Sequence, residues 1–583
     1  MSRNPNYRIQ DNIGIPMRDG TILSAEVWLP DGEGPWPILL QRTPYRREDV
    51  YGNQYISGLE FRLALRQGFA VLVQDTRGRY SSEGNFDPFI HEGVDGLDTL
   101  AWLRAQSFCN GQIAMWGASY VGATQVLLAA AGGKLAAISP QLTTARHGDT
   151  WTYRGGAVEL GFLLLWIIES LAPVDLPRRM PQMPEAVAKR AERLLEEFKN
   201  NPTLAFERLP ILSDDLIALA PYARDWFDAA HAAKATDDHE KIADLAKSGV
   251  PMLVSAGWND IFAEGALELF ESARARHKSP SEVPDRLILG PWSHGNPKDW
   301  QGDLWHGPGA SHADLCAEQL SFFVDAFAGR TSKMPMVRYF RSGSNTWHMA
   351  PDWPLPGTVT RELHLSNNEL QDKPAVESWE RRFVSNPIDP VPTIGGASFL
   401  PGLLLGRNSG AKDQETIEAR DDVLVFTSAP LEEAMEVTGA VKAELTIQSS
   451  AVTTDWTAKL CVVDATGLSL GLVDGILRWK RLGDGNVPET VEIKLGHISH
   501  LFPAGSRIRL QIASSNFPRF DRNPQSGVAA EHALLKDFVS AEQQILGGGA
   551  QINKLVLPVV TEHFPASKSL SISAELGYRP EQG

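Results

Sequence analysis

Residues Ile113 to Thr124, Ile-Ala-Met-Trp-Gly-Ala-Ser-Tyr-Val-Gly-Ala-Thr, constrain the fold more than any other stretch. The apolar run Ile113 to Trp116 reads as a buried strand, and the Ala- and Leu-rich segment through Ala131 reads as a helix. Between them stands Gly117-Ala118-Ser119-Tyr120-Val121-Gly122. A strand that turns directly into a helix, with Ser at the corner and glycine on either side, is the setting of a nucleophile elbow. Such a turn lifts the Ser oxygen clear of the sheet. It also aims that oxygen at a helix N-terminus, whose free N–H groups favour a developing negative charge. The stretch departs from G-x-S-x-G, because Val121 occupies the place of the second Gly and Gly122 follows one later. A βα turn that needs small residues only for close packing would read the same way, so this stretch alone leaves the role of Ser119 open.

The flanking sequence sets the fold class. Leu23 to Leu29, after the turn Arg18-Asp19-Gly20, alternates like a half-buried strand. Trp36 to Leu40 and Phe69 to Val73 are buried runs, and Phe61 to Gln67 and Asp95 to Leu103 read as helices. Strands alternating with helices predict a mostly parallel α/β sheet. From about Thr144 the pattern becomes helical. Trp151 to Leu171 reads as an apolar helix. Pro184 to Asn200 is amphipathic, with Val187, Ala191, Leu194, Leu195 and Phe198 on one face, and helix-like sequence continues to about Lys247. No convincing strand interrupts this region, which predicts a lid inserted after the Ser119 strand. The α/β pattern resumes with the buried runs Pro251 to Ala256 and Arg286 to Leu289, helical Glu264 to Ala273 between them, and a last helix at Leu315 to Ala328. From about Asp352 short alternating runs such as Ala440 to Ile447 and Arg507 to Ile512, separated by Gly, Pro, Asp and Asn, predict an all-β sandwich of jelly-roll type. The polar tail after about His563 has no evident place in a core. The expected organisation is an α/β catalytic region over 1–144 and 246–351, a helical cap over 145–245 and a jelly roll over 352–583.

Composition narrows the partners. At 583 residues the chain exceeds a single hydrophobic core. Its net charge of −16 argues against nucleic acid or an anionic membrane surface, and solubility accounts for it. Cys109, Cys316 and Cys461 are too scattered for a disulfide framework or a CxxC metal site. The N-terminus Met-Ser-Arg-Asn-Pro-Asn-Tyr has no apolar signal region. The most apolar run, Leu160 to Ile168, is too short to span a bilayer and is bracketed by Glu159 and Glu169. A soluble cytoplasmic protein is expected.

Two further strands end in polar, Gly-flanked loops: Gly257-Trp258-Asn259-Asp260 and Gly290-Pro291-Trp292-Ser293-His294-Gly295. The order Ser119…Asp260…His294 is the chain order of α/β-hydrolase triads. A Ser hydroxyl needs a base to take its proton, and that base needs an anion to fix its tautomer. Taken alone, His294 reads as a surface-loop histidine and Asp260 as a helix N-cap. The three together, each just past its own buried strand, read as one site at the edge where open α/β sheets place their ligands. An oxyanion needs at least two donors. The N–H of Tyr120 is one, and the hydroxyl of Tyr45, after Gln41-Arg42-Thr43-Pro44, is a candidate for the other, with a packing role as its alternative.

These motifs resemble the cocaine esterase family of serine hydrolases. That family is related to X-prolyl dipeptidyl peptidases, glutaryl-cephalosporin acylases and α-amino acid ester hydrolases. The resemblance runs from Pro16-Met17-Arg18-Asp19-Gly20 through Thr43-Pro44-Tyr45, Gln74-Asp75-Thr76-Arg77-Gly78 and the three strand ends. It continues to Asp455-Trp456-Thr457-Ala458-Lys459-Leu460 and Ser514-Ser515-Asn516-Phe517-Pro518. It implies an α/β-hydrolase core with an inserted helical cap and a C-terminal jelly roll. It also implies Ser119 as nucleophile, His294 as base, Asp260 as its partner, and Tyr45 with Tyr120 as the oxyanion hole. Trp151, Trp166 and Phe262 would line an acyl pocket, with Phe399 and Leu400 as the wall from the β-domain; core packing is the other reading of all five. Val121 replaces the Glu that α-amino acid ester hydrolases carry after Ser-Tyr. Asp75 and Arg77 read as a charged pair tying the loop after a strand. Arg46 and Arg47 read as a solvated loop, or as contacts to an anionic substrate.

The implied activity is hydrolysis of small, partly aromatic esters through an acyl-enzyme, with no metal and no cofactor. A small-molecule ester is the expected partner. The jelly roll offers a dimer surface, though no stretch demonstrates a homodimer. The alternatives are an amidase or acylase on β-lactam side chains, a proline-directed dipeptidyl peptidase, and an inert binding protein that uses the jelly roll. A peptidase needs an acidic anchor for the substrate amine, and none is identifiable from the sequence.

Overall fold

The computed structural model describes residues 7–50, 58–228, 244–278, 284–330, 335–400, 408–481 and 487–567. Two large sheets organise them. In the first, the strands lie side by side in the order Arg8–Pro16, Ile22–Leu29, Ala70–Asp75, Trp36–Thr43, Cys109–Ala118, Ala137–Gln141, Leu253–Asn259, Arg286–Ser293, Val337–Arg341, Thr346–Ala350 and Ala566–Ser567. From Ala70–Asp75 to Val337–Arg341 neighbours pair parallel; outside that block they pair antiparallel. Successive residues of a strand face opposite sides, and here both sides are apolar. Ile38 and Leu40 pack with Leu100, Val126 and Leu267 on one face, while Leu39 packs with Phe61 and Phe322 on the other. This is an α/β-hydrolase core.

The same double covering corrects the reading of Leu23 to Leu29 as half-buried. The strand Ile22–Leu29 is buried from Leu23 onward, because it lies between two other strands and faces both apolar clusters. Glu26 accepts there from Trp28 Nε1 at 3.0 Å, and the Ser24 backbone N–H donates to Ser82 Oγ at 2.9 Å.

The helical insertion follows the strand Ala137–Gln141. Trp151 to Leu171 is not a single helix. A short hairpin pairs Tyr153–Arg154 with Ala157–Val158; then come the helix Leu160–Trp166 and a π-helical turn at Ile167–Leu171. Gly155 and Gly156, at φ 53° and 87°, adopt a backbone that breaks a helix and suits glycine. The hairpin tip is seated on the β-domain: Arg478 N–H donates to Gly155 O at 2.7 Å, and a Cβ at Gly155 would fall 1.9 Å from Ile476 O. Ala172–Arg179, Glu185–Asn200, Pro202–Glu207, Asp214–Leu219 and Ala223–Phe227 complete the described cap. Glu185–Asn200 buries Ala188, Ala191, Leu194, Leu195 and Phe198, with Val187 at the margin. The helix-like stretch at 229–243 lies outside the described residues. The continuous helical path Leu160–Gln182 is long and apolar enough to cross a membrane, but 72% of its most apolar window is buried inside the protein, as for a core helix of a soluble chain.

The second sheet is all-β, and its strands close round one apolar core that includes Leu363, Val437, Trp456, Leu510, Ile545 and Leu555. The described part of the tail stays outside the core but pairs with a sheet. Ala566–Ser567 returns to the first sheet and pairs with the open side of Thr346–Ala350, since an edge strand leaves backbone groups free to pair. Residues after 567 lie outside the described residues.

Glu264, on the helix Ala263–Arg274 that follows Asp260, meets the β-domain at His497. His497 N–H donates to Glu264 Oε1 at 2.8 Å, and His497 Nδ1 lies 2.8 Å from Oε2. Burial pushes the Glu264 carboxyl up, but the charge and hydrogen bonds of His497 outweigh it and bring the value down to about 2. Burial likewise pushes His497 down, and Glu264 outweighs that, raising it above its ordinary 6.5. A raised His stabilises fully below its unfolded value and loses this as pH rises through the folded value. A depressed Glu stabilises above its unfolded value of 4.5 and loses this as pH falls towards 2. The pair therefore stabilises most between 4.5 and 6.5. In thermal unfolding, the gap between wild type and His497→Gln is expected to be larger at about pH 5.5 than at about pH 9. An equal gap at both would contradict this.

Candidate active site

Ser119 stands between the strand Cys109–Ala118 and the helix Tyr120–Ala130, at φ 59° and ψ −130°. A side chain at positive φ is strained and persists only where surrounding bonds over-determine it. Here Ser119 N–H donates to Gln141 O at 2.9 Å, and Ser119 O accepts from Gly122 and Ala123 at 2.9 and 3.0 Å. The departure from G-x-S-x-G has a steric cause. A Cβ at Gly122 would sit 2.6 Å from Thr143 Cγ2, so close approach to the neighbouring loop is made at Gly122, while Val121 packs over Gly117.

Asp260 and His294 follow the adjacent strands Leu253–Asn259 and Arg286–Ser293, whose ends are tied by Asn259 Nδ2 donating to Pro291 O at 2.7 Å. Asp260 Oδ1 accepts from Phe262 N–H at 2.6 Å, and Oδ2 lies 2.8 Å from His294 Nδ1. His294 Nε2 lies 3.1 Å from Ser119 Oγ. With the carboxylate accepting the Nδ1 proton, Nε2 presents its lone pair to the Ser hydroxyl. The structure thus brings together three side chains that lie far apart in the sequence.

Tyr45 follows the strand Trp36–Thr43, and its N–H donates to Thr43 Oγ1 at 3.0 Å. Its hydroxyl lies beside Ser119 and accepts from Trp166 Nε1 at 3.1 Å. Because Trp166 supplies a proton to that oxygen, the Tyr45 proton is directed elsewhere. Burial pushes the Tyr45 phenol up to about 12, so it is a proton donor at neutral pH. Tyr120 is the first residue of its helix, where an N–H has no intrahelical carbonyl. The Tyr120 side chain points away from that N–H into bonds of its own. Its hydroxyl donates to Glu92 Oε1 at 2.9 Å and accepts from Phe89 N–H at 2.9 Å. Burial, followed by the Glu92 charge, holds that phenol well above its ordinary value.

A model of the X-Pro dipeptidyl-peptidase (S15) family matches residues 19–296, and one of the X-Pro dipeptidyl-peptidase C-terminal non-catalytic domain matches residues 330–556. Cocaine esterase of Rhodococcus sp. (strain MB1 Bresler) is 33% identical to this chain, over 95% of this chain and 99% of that one. The chain belongs to the S15 family. Two solved structures share the fold at 24% identity, each covering 95% of this chain and 97% of theirs: an α-amino acid ester hydrolase (TM-score 0.76) and an aminopeptidase from a marine sediment Thaumarchaeota archaeon (TM-score 0.75).

Around Ser119 this S15 chain gathers the aromatics named from its sequence. Trp151, Trp166, Phe262 and Leu400 are buried in one cluster with Tyr120, and Tyr45 and Phe399 lie at its margin. Trp151 stacks on Phe262 at 4.1 Å, and the rings of Phe262 and Phe399 lie 5.1 and 5.2 Å from that of His294. Leu400 packs on the cap helix, where a Cβ at Gly161 would meet its Cδ2 at 2.4 Å. Three further rings escape the sequence reading. Phe162 stacks 5.7 Å from Trp166 and lies 6.4 Å from His294; its place four residues before Trp166 on one helix was a usable signal. Trp226 stacks on Trp166 at 5.1 Å, and Phe89 stacks on His147 at 3.9 Å. Phe89, at φ 71° in an irregular loop, belongs to no periodic pattern.

The charged residues of the early loops are paired differently from expectation. Asp75 and Arg77 do not pair with each other. Asp75 accepts from Arg47 N–H and Nη1 at 2.8 and 2.9 Å, while Arg77 binds Asp95 and Asp19 at 2.6 and 2.8 Å. Arg47 is therefore neither solvated nor poised for a substrate, being 1% exposed and also bound to Asp11 at 2.9 Å. Two residues apart on a loop, Asp75 and Arg77 point in different directions, and each is satisfied by a different segment. Among the described residues no group of His, Cys, Asp or Glu is placed to hold a metal ion.

Proposed function

We propose that the chain is a serine carboxylesterase that cleaves small, partly aromatic esters through an acyl-enzyme. The observation that carries this reading is Ser119 Oγ at 3.1 Å from His294 Nε2, with Nδ1 at 2.8 Å from Asp260, on a corner where Ser is held at positive φ. His294 takes the Ser119 proton as Oγ attacks the ester carbonyl, and Asp260 stabilises the imidazolium. The Tyr45 hydroxyl and the Tyr120 N–H receive the oxyanion. His294 then gives its proton to the leaving alcohol. It next activates the water that releases the acid. Trp151, Trp166, Phe262, Phe399 and Leu400 hold the acyl group.

Glu92 reaches the site through the Tyr120 hydroxyl, but its other oxygen is 3.1 Å from Arg42, so this carboxylate is already committed and is not an anchor for a substrate ammonium. Initial rates on p-nitrophenyl acetate, p-nitrophenyl benzoate and Gly-Pro-p-nitroanilide test the reading. Both esters are expected to be cleaved, the benzoate with the lower KM, and the anilide more slowly than either. Anilide cleavage faster than ester cleavage would replace this reading with the peptidase one.

A further inference from the structure

Arg79 is fully buried, yet no part of the mechanism above uses it. Its guanidinium bonds in two directions. On one side Nε donates to Pro44 O at 2.9 Å. On the other, Nη2 donates to Ser170 O at 2.7 Å and Nη1 to Leu171 O at 3.1 Å and to Asp175 Oδ1. Asp175 is itself held by the Tyr222 hydroxyl, which donates to Oδ2 at 3.1 Å. The ring of Phe86 lies 4.8 Å from the guanidinium carbon and 5.9 Å from the ring of Tyr120.

Pro44 immediately precedes Tyr45. Ser170 and Leu171 end the π-helical turn that begins directly after Trp166. The two segments that Arg79 joins are thus the loop that carries Tyr45 and the helix that carries Trp166. They are also joined at the site itself, where Tyr45 Oη accepts from Trp166 Nε1 at 3.1 Å. A π-turn departs from the regular ladder, and here two of its last carbonyls are turned to the guanidinium.

Burying a guanidinium is unfavourable unless its N–H groups find acceptors, and an apolar side chain would fill the same space at lower cost. What Arg supplies that a hydrophobe does not is a rigid planar fork, which fixes carbonyls from separate segments relative to one another. An oxyanion donor is effective only when held where the charge develops, and an error of about 1 Å costs about 10²-fold in rate. The geometry points to Arg79 as a positioning residue: it holds the Tyr45 loop against the Trp166 helix and so aims the Tyr45 hydroxyl at the oxyanion. It touches no substrate. The inference rests on the reading of Tyr45 as an oxyanion donor.

A double-mutant cycle on ester hydrolysis tests it, with Tyr45→Phe, Arg79→Lys and the two combined. Lys keeps a charge beside Asp175 but cannot span Pro44 O and Ser170 O together. Arg79→Lys is expected to lower kcat about 10-fold or more with KM changed less than about 3-fold. In the Tyr45→Phe background the same change is expected to cost less than about 3-fold, because the hydroxyl that Arg79 aims is gone. Thermal unfolding reports whether each variant is folded. If Arg79→Lys does not fold, Arg79→Met with Asp175→Asn removes both charges and is read in the same two backgrounds. Full kcat in a folded Arg79 variant, or an equal loss in both backgrounds, overturns the inference while leaving Tyr45 as donor. A Tyr45→Phe variant as fast as wild type overturns the donor reading and the inference with it.

Discussion

Replacing Ser119 with Ala is expected to lower kcat on a p-nitrophenyl ester by about 10⁴-fold or more, leaving only the rate that binding and the oxyanion donors sustain without a nucleophile. The lost atom is the one 3.1 Å from His294 Nε2. The pocket rings and the donors keep their places, so substrate affinity is expected to change little. The backbone makes a second, separable claim. Ser119 sits at φ 59°, and Ala carries the same Cβ into the same strained region, so Ser119→Ala is expected to unfold near the wild-type midpoint. Ser119→Gly removes that clash and is expected to be more stable than Ser119→Ala by about 1 kcal/mol in denaturant unfolding, and equally inactive. A Gly variant less stable than the Ala variant would remove the account of strain at this corner.

Tyr45→Phe is expected to lower kcat by about 10²–10³-fold with KM nearly unchanged, the size of effect that follows loss of one oxyanion donor. The ring and its packing stay, and only the hydroxyl between Ser119 and Trp166 Nε1 is removed. Because burial keeps the proton on Tyr45 up to about 12, the deficit is expected to be the same at about pH 7 as at about pH 9. Steady-state rates of both proteins across that range provide the check. A deficit confined to KM would return Tyr45 to a packing role, and one that disappears at alkaline pH would mean that its hydroxyl ionises far lower than its burial implies.

The parts of the site that could be read in the sequence are those made by local chain geometry. Each of Ser119, Asp260 and His294 directly follows a short buried run and sits among glycines, so strand, turn and side-chain type are all visible within about ten residues. Gly122 was visible too, but the reason for its displacement was not, since Thr143 lies on a different strand end. Partners set by tertiary packing were misread for the same cause. Asp75 and Arg77 look like a pair because they are two residues apart, whereas Arg47, Asp95 and Asp19 satisfy them from other segments. The largely apolar run Trp151 to Leu171 concealed a hairpin, because apolar content signals burial, and only Gly155 and Gly156 marked the change of backbone. Leu23 to Leu29 looked half-exposed because Ser24 and Glu26 alternate with apolar residues, yet both are buried, the Glu26 carboxylate against Trp28 Nε1 and the Ser24 N–H on Ser82 Oγ. The return of Ala566–Ser567 to the first sheet left no trace in its polar composition.

The central claim is that Ser119 forms a covalent acyl-enzyme with its ester substrate. The most direct measurement is inactivation with an aryl phosphonate ester, followed by intact-mass and peptide mass spectrometry of wild type and Ser119→Ala. The account predicts a single phosphonyl adduct per chain, on Ser119, whose growth matches the loss of esterase activity, and no adduct in Ser119→Ala. Complete inactivation with the adduct on another residue, or undiminished activity in a chain fully labelled at Ser119, would contradict it.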